Sequence, residues 1–191
     1  SVAAAGAGEN VSLANKDPKA LPVKLQGWLH NDAAHKLLAT AGHDLDALRE
    51  KARQPEFQAF ELEGIRFNAD LEVDITTFDS QNVLGLIPGS ARPEEVIMAS
   101  AHWDAYGIGA PDEQGRTVRA GANDDALGSA GILEIARVIK AAPALERSVL
   151  LAFWTAEEAG LVGSMAYAAD PIFPIEKTVA NFTLDILQTA G

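Results

Sequence analysis

The sequence contains no cysteine, which excludes disulfides and thiolate metal ligands alike and leaves histidine and carboxylates as the only strong donors. Basic residues are scarce: 15 Lys and Arg stand against 27 Asp and Glu, a formal net charge of −12. A surface of that sign repels phosphate, so no nucleic acid partner is expected, and an anionic membrane surface is disfavoured. No apolar run reaches the roughly 18 residues that cross a bilayer, so no membrane span is expected either. The N-terminus has neither an initiator Met nor a basic n-region, as in a signal-peptide remnant, an internal cut or an arbitrary boundary. What remains is ordinary for a globular protein. A hydrophobic share of 48% over 191 residues is enough for one domain, or one domain and a smaller piece, around a single core.

Residues 1–20 are small and polar without a sustained period and read as a flexible lead-in. Residues 21–80 read as a helical and strand segment. Leu21 to Leu25 suggests a short strand, and Asn31-Asp32 can cap a helix carrying Ala34, Leu37 and Leu38, closed by Gly42. Asp44 can cap a second helix with Leu45, Leu48 and Ala52 on one face, ended by Pro55. His30, His35 and His43 lie here, but without a regular carboxylate partner they read as solvated or capping residues. Leu71 to Ile75 alternates apolar and polar as a half-exposed strand does, and Asn82 to Ile87 reads as another strand.

From residue 81 to 191 the pattern changes. Val96–Ala101, Ser148–Trp154 and Val179–Asp185 are near-continuous apolar runs, the mark of strands buried on both faces. Gly128–Lys140 places Ile132, Ile135, Ala136 and Ile139 on one helical face, and Leu161–Ala169 reads as a further helix. Strand, helix, strand, helix, strand implies an α/β fold, a mostly parallel twisted sheet flanked by helices. Ligands in such sheets gather at the carboxyl ends of the strands. His102 and Asp104 follow the first buried strand, Glu157 and Glu158 the second, Asp185 closes the third, and Asp124 heads the intervening helix. Each has a structural explanation alone, as a cap, a first-turn acid or a turn former. Together on one sheet edge they would repel one another unless a cation intervened. One His with several carboxylates suits Zn²⁺ first, and Mn²⁺ or Co²⁺ also fit. Neighbouring Glu157 and Glu158 point differently, so one can bind metal while the other handles a proton.

The motifs Ser100-Ala-His-Trp-Asp104, Gly121-Ala-Asn-Asp-Asp-Ala-Leu-Gly-Ser129, Phe153-Trp-Thr-Ala-Glu-Glu-Ala-Gly-Leu-Val-Gly-Ser164 and Asn181-Phe-Thr-Leu-Asp185 resemble those of the family-28 zinc metallopeptidases. These are di-zinc exopeptidases that include bacterial aminopeptidases and, more distantly, glutamate carboxypeptidase. The resemblance implies the zinc-exopeptidase, phosphorylase/hydrolase-like fold and two Zn²⁺ ions acting on a peptide substrate. His102, Asp124, Glu158 and Asp185 would be the metal ligands, with Asp124 bridging the ions and the Asp124–Asp125 peptide cis. Glu157 would be the catalytic base, drawing a proton from a water held between the metals. Asp104 would fix the His102 imidazole, and Asp125 would support the ligands without binding metal. Residues 21–80 resemble, more weakly, the stretch that follows a protease-associated insert in some members.

Two departures stand out. The family site has a further His ligand well downstream of the Asp185 position, yet His102 is the last of the 4 histidines here, and Ala105 stands where many relatives carry a second His. The expectation is a C-terminally truncated fragment, with residues 81–191 the N-terminal part of the catalytic domain and its sheet incomplete at the C-terminus. Such a piece would be inactive alone and completed by a companion chain. The alternatives are a related zinc enzyme of the same fold, a glutaminyl cyclase or carboxypeptidase, or a non-catalytic receptor or binding domain. Relatives of this pattern imply a periplasmic or secreted protein. Gly107-Ile-Gly109 lacks the third glycine of a dinucleotide loop, and Ser100 and Ser129 lack a nucleophile elbow. Trp103, Tyr106 and Trp154 read as core or rim.

Overall fold

The computed structural model describes residues 10–14 and 27–187, so the strand expected at Leu21–Leu25 and most of the lead-in lie outside the described residues. The chain divides into two compact units at Thr76/Thr77, with residues 11–14 belonging to the second. Among the described residues no helix is long and apolar enough to cross a membrane.

The first unit holds two helices, α1 (Asn31–Thr40) and α2 (Leu45–Ala52). Asp44 caps α2 as expected, its side chain accepting from Ala47 N at 2.7 Å, and Gly42 takes the left-handed conformation (φ 78°) just past α1. The cap of α1 differs from expectation. His30, not Asn31 or Asp32, precedes the first helical residue, and its Nδ1 accepts from Asp32 N at 3.3 Å. His43 instead packs its ring 4.8 Å from that of Phe60. Residues 71–75 form no strand: Leu71, Val73 and Ile75 are all exposed, and no described strand pairs with them. Alternation marks a segment able to form a strand, but a strand also needs a neighbour to complete its hydrogen bonds.

The second unit is an α/β layer structure. Its main strands are β1 (Val83–Ile87), β2 (Arg92–His102), then β5 (Arg147–Trp154) and β6 (Thr178–Thr183), with β3 (Gly107–Ile108) and β4 (Val118–Arg119) forming a separate small hairpin. The four-stranded sheet runs β1-β5-β2-β6. β2 pairs parallel with both β5 and β6, while β1 pairs antiparallel with β5, so the sheet is mostly parallel.

The contiguous apolar residues of β2 and β5 are explained by burial on both faces. The expectation of a third such strand at Val179–Asp185 does not hold: β6 ends at Thr183, lies at the edge of the described sheet and leaves Val179 and Phe182 exposed. Val96, Met98, Leu150, Ala152 and Trp154 form one core with Tyr167 of α4 (Val162–Ala169). Ala99, Ala101, Val149 and Leu151 form the other with Ile132, Ala136 and Ile139 of α3 (Leu127–Ala141). The register sets the site. His102 lies opposite Trp154, and Ser100 opposite Thr183, so the strands end side by side. Leu184 N donates to Ser100 O at 2.8 Å, which carries the ladder to the doorstep of Asp185.

Ile132 is fully buried at the centre of the α3 contact, whereas Leu133 beside it is 61% exposed. Ile132→Ala is therefore expected to cost about 2–5 kcal/mol of unfolding free energy, and Leu133→Ala less than about 0.5 kcal/mol, measured by denaturant titration.

Candidate metal centre

His102 is the last residue of β2 and only 2% exposed. Its Nε2 lies 2.9 Å from Asp124 Oδ1, 3.7 Å from Glu157 Oε2 and 3.9 Å from Asp185 Oδ1. Its Nδ1 lies 3.1 Å from the carbonyl of Asp104, an acceptor. Nδ1 must therefore carry the proton, and in the neutral ring that leaves the Nε2 lone pair facing the carboxylates. The imidazole is thus oriented by the backbone of Asp104 more closely than by its carboxylate, which stands 3.5 Å away.

That carboxylate has another task. Asp104 Oδ1 accepts from Glu157 N at 3.0 Å and Oδ2 from Glu158 N at 3.2 Å, fixing the turn on which both glutamates sit. The turn needs fixing. Ala156 (φ 51°) and Leu161 (φ 62°) both adopt left-handed backbone without being glycine, which costs roughly 1–2 kcal/mol each. Asn82 grips the same turn from the start of β1, accepting from Thr155 N at 3.1 Å and donating to Gly163 O at 2.8 Å. Sequence reasoning did not single out Asn82, since a strand-leading Asn carries no chemical signal of its own.

Asp124 and Asp125 lie on a short π-type turn, Ala122–Ala126, ahead of α3, and their peptide bond is cis. Asp124 thus precedes the helix rather than capping it. Asp125 is 1% exposed, and its two oxygens accept from His102 N and Gly128 N, each at 3.1 Å. It ties the end of β2 to the start of α3. Gly128 has to be glycine for this: a Cβ there would lie 2.2 Å from Asp125 Oδ1 and 2.5 Å from Leu184 O. Ser129 completes the tie by donating to His102 O at 3.0 Å.

The seven residues singled out by sequence are therefore brought together, and two groups of donor atoms within 4.8 Å of one another emerge: His102, Asp124 and Glu158, and His102, Asp125 and Asp185. Asp125 is already engaged by two N–H groups, so Asp185 is the freer donor of the second set. Burial pushes the Glu157 and Glu158 carboxyls above the usual range, the charges of Asp124 and other neighbours adding to it, and burial does the same to Asp125. Burial alone would lower the His102 pKa, but the bond to Asp124 and the charges of Glu157, Asp125 and Asp104 overcome it and raise it. Glu158 Oε1 is buried without any hydrogen-bond partner. An orphaned carboxylate oxygen among converging N and O donors is what a divalent cation satisfies.

The other aromatic residues fall as core and rim. Trp154 is buried against Tyr167, with ring centroids 5.3 Å apart, while Trp103 and Tyr106 are exposed. The carboxylate of Glu158, acting as an acceptor and as a nearby negative charge, raises the pKa of the Tyr106 phenol. His30, His35 and His43 belong to neither donor group. Beside His102, Glu157 and Asp185 opens a cavity of about 410 Å³, walled by Met98, Trp154 and Tyr167.

The shifts predict a pH dependence for metal-stripped protein. Raised carboxyl pKa values mean that the folded state holds protons the unfolded chain has released, so stability falls as pH rises from the ordinary Glu value of about 4.3. The raised His102 pKa adds stability that is fully present below about 6.5 and lost as pH passes its folded value. Thermal unfolding in chelator should give a Tm that declines across this window, and saturating Zn²⁺ should abolish the decline. A Tm rising with pH in chelator would contradict the assignment.

Comparison with known proteins gives the family of the chain. Residues 82–191 match the model of peptidase family M28. Aminopeptidase NAALADL1 of Mus musculus is 30% identical over 180 residues, covering 86% of this chain and 22% of that protein. Carboxypeptidase Q of Homo sapiens is 31% identical over 133 residues, covering 67% of this chain and 25% of the relative. A solved structure of BSAP, a zinc aminopeptidase from Bacillus subtilis, is 28% identical with a TM-score of 0.47, over 58% of this chain and 25% of that one. The chain thus spans about a fifth to a quarter of the length of these proteins. With more than half its length matched and the motif residues gathered at one sheet edge, the chain belongs to peptidase family M28.

Proposed function

We propose that this chain contributes the metal-binding edge of a zinc-dependent exopeptidase, in first place an aminopeptidase. The observation that carries the reading is the buried, unpartnered Glu158 Oε1 in a cluster whose donor atoms converge within 4.8 Å. His102 Nε2 can ligate only one ion. His102, Asp124 and Asp185 would therefore hold one, and Asp124 with Glu158 a second; Mn²⁺ or Co²⁺ could use the same donors. When bound, such ions polarise a scissile carbonyl and acidify the attacking water.

The remaining chemistry belongs to the chain. Glu157 would take the proton from the attacking water and pass it to the leaving amine, a role suited to a carboxyl that burial holds above its usual range. Asp104, gripping Glu157 N and Glu158 N, would keep base and ligand apart in fixed directions. The negative charge gathered around the cleft would draw the free amino terminus of a peptide and repel a terminal carboxylate. This favours an aminopeptidase over a carboxypeptidase, although relatives of both kinds match the chain.

In the protein that carries this chain, chelation should abolish hydrolysis of peptides with a free amino terminus, and added Zn²⁺ should restore it. Glu157→Gln should lower kcat by a factor of about 10²–10⁴ with zinc content unchanged. Hydrolysis that survives chelation would sink the reading. Cleavage of N-acetylated peptides but not free-amine ones would move it to a carboxypeptidase.

A further inference from the structure

We infer that Asn82 is a positioning residue for Glu157 and Glu158, acting through the turn that carries them; this rests on the roles proposed for those glutamates. The turn leaves β5 at Thr155 and enters α4 at Gly163. One hydrogen bond closes it, from Gly163 N to Thr155 O at 3.0 Å. A second direct bond between the same two residues, Thr155 N to Gly163 O, is replaced by the side-chain amide of Asn82. Its Oδ1 accepts from Thr155 N (3.1 Å) and its Nδ2 donates to Gly163 O (2.8 Å).

The chemistry of the position is demanding. Thr155 N needs an acceptor and Gly163 O needs a donor, and at this reach only a primary amide supplies both. The surroundings are shaped to admit it. Gly163 is buried, and a Cβ there would lie 2.5 Å from Asn82 Oδ1 and 2.3 Å from Thr155 O. Thr155 is tied a second time to the segment leading into β1, its Oγ1 lying 2.6 Å from Ser80 Oγ.

Within the closed turn, Val162 N donates to Ala156 O (3.1 Å), and Gly160 N and Leu161 N both donate to Glu157 O (2.8 Å each). The left-handed residues Ala156 and Leu161 lie inside this loop. Asp104 holds the glutamates from the β2 side, and Asn82 holds the ends of their turn from the β1 side. A turn through unfavourable backbone keeps its shape only when its surroundings over-determine it. Release of the Asn82 clamp would therefore let Glu157 and Glu158 drift while the sheet below stays formed.

The test compares the full chain with N82D, which keeps the shape but cannot donate to Gly163 O, and N82A, with S148A as a control at the far end of the same sheet. Hydrogen exchange read residue by residue should show the amides of residues 155–163 losing at least tenfold in protection in both Asn82 variants. The amides of β2 should change by less than a factor of three, and S148A should leave the turn unaffected. With Co²⁺ as probe, the visible absorption of the bound ion should change in N82D, as expected for a displaced Glu158. Turn amides that keep wild-type protection would overturn the inference, as would loss of protection spread equally over β2 and the turn. If the unsubstituted protein takes up no Co²⁺, the metal reading fails, and hydrogen exchange alone still decides the role of Asn82.

Discussion

Around the Nε2 of one buried imidazole stand Asp124 at 2.9 Å, Glu157 at 3.7 Å and Asp185 at 3.9 Å, on three separate segments of chain. Like charges at such spacing repel, and the partial burial of Asp124 and Glu157 weakens the screening that water gives them, while Asp185 stays exposed. No packing of apolar side chains could hold that arrangement without rigid supports and a compensating positive charge. In the protein alone, His102 supplies part of that charge, which is why its pKa is raised although it is buried. The unpartnered Glu158 Oε1 marks the part it does not supply.

The supports are hydrogen bonds that backbone N–H groups donate to side-chain oxygens, and they share one logic. Asp125 bonds the N–H of His102 and of Gly128, joining strand to helix. Asp104 bonds those of Glu157 and Glu158, joining one strand end to the turn after another. Asn82 bonds that of Thr155 and returns a donor to Gly163. Each acts on main chain, so each places the side chains of other residues without occupying the space a ligand would use. The parallel register of β2 with β5 and β6 makes this possible, because it delivers all three strand ends to one edge.

How much of this could be read in advance depends on how local the cause was. The buried strands were legible because a strand covered on both faces must be apolar throughout, and Val96 to Ala101 and Val149 to Trp154 are so. The cluster was legible because carboxylates recur at strand ends, where isolated charge is costly. Leu71 to Ile75 misled because alternation describes one segment, while a strand is a property of a pair. The His30 cap was missed because Asn31 and Asp32, better cap formers by type, stand beside it. The double grip of Asp104 and the clamp at Asn82 join residues far apart in sequence, and no local pattern announces them.

On the function proposed above, the acids around His102 form a cation site rather than a structural ion-pair network. Calorimetric titration of the chelator-treated protein with Zn²⁺ near neutral pH, alongside Asp124→Asn, separates the two. Saturable binding with release of protons is expected, since His102, held above its usual pKa, must give one up, together with at least a tenfold weaker affinity in the variant. Absence of saturable binding, or binding that Asp124→Asn leaves untouched, would contradict the proposed site.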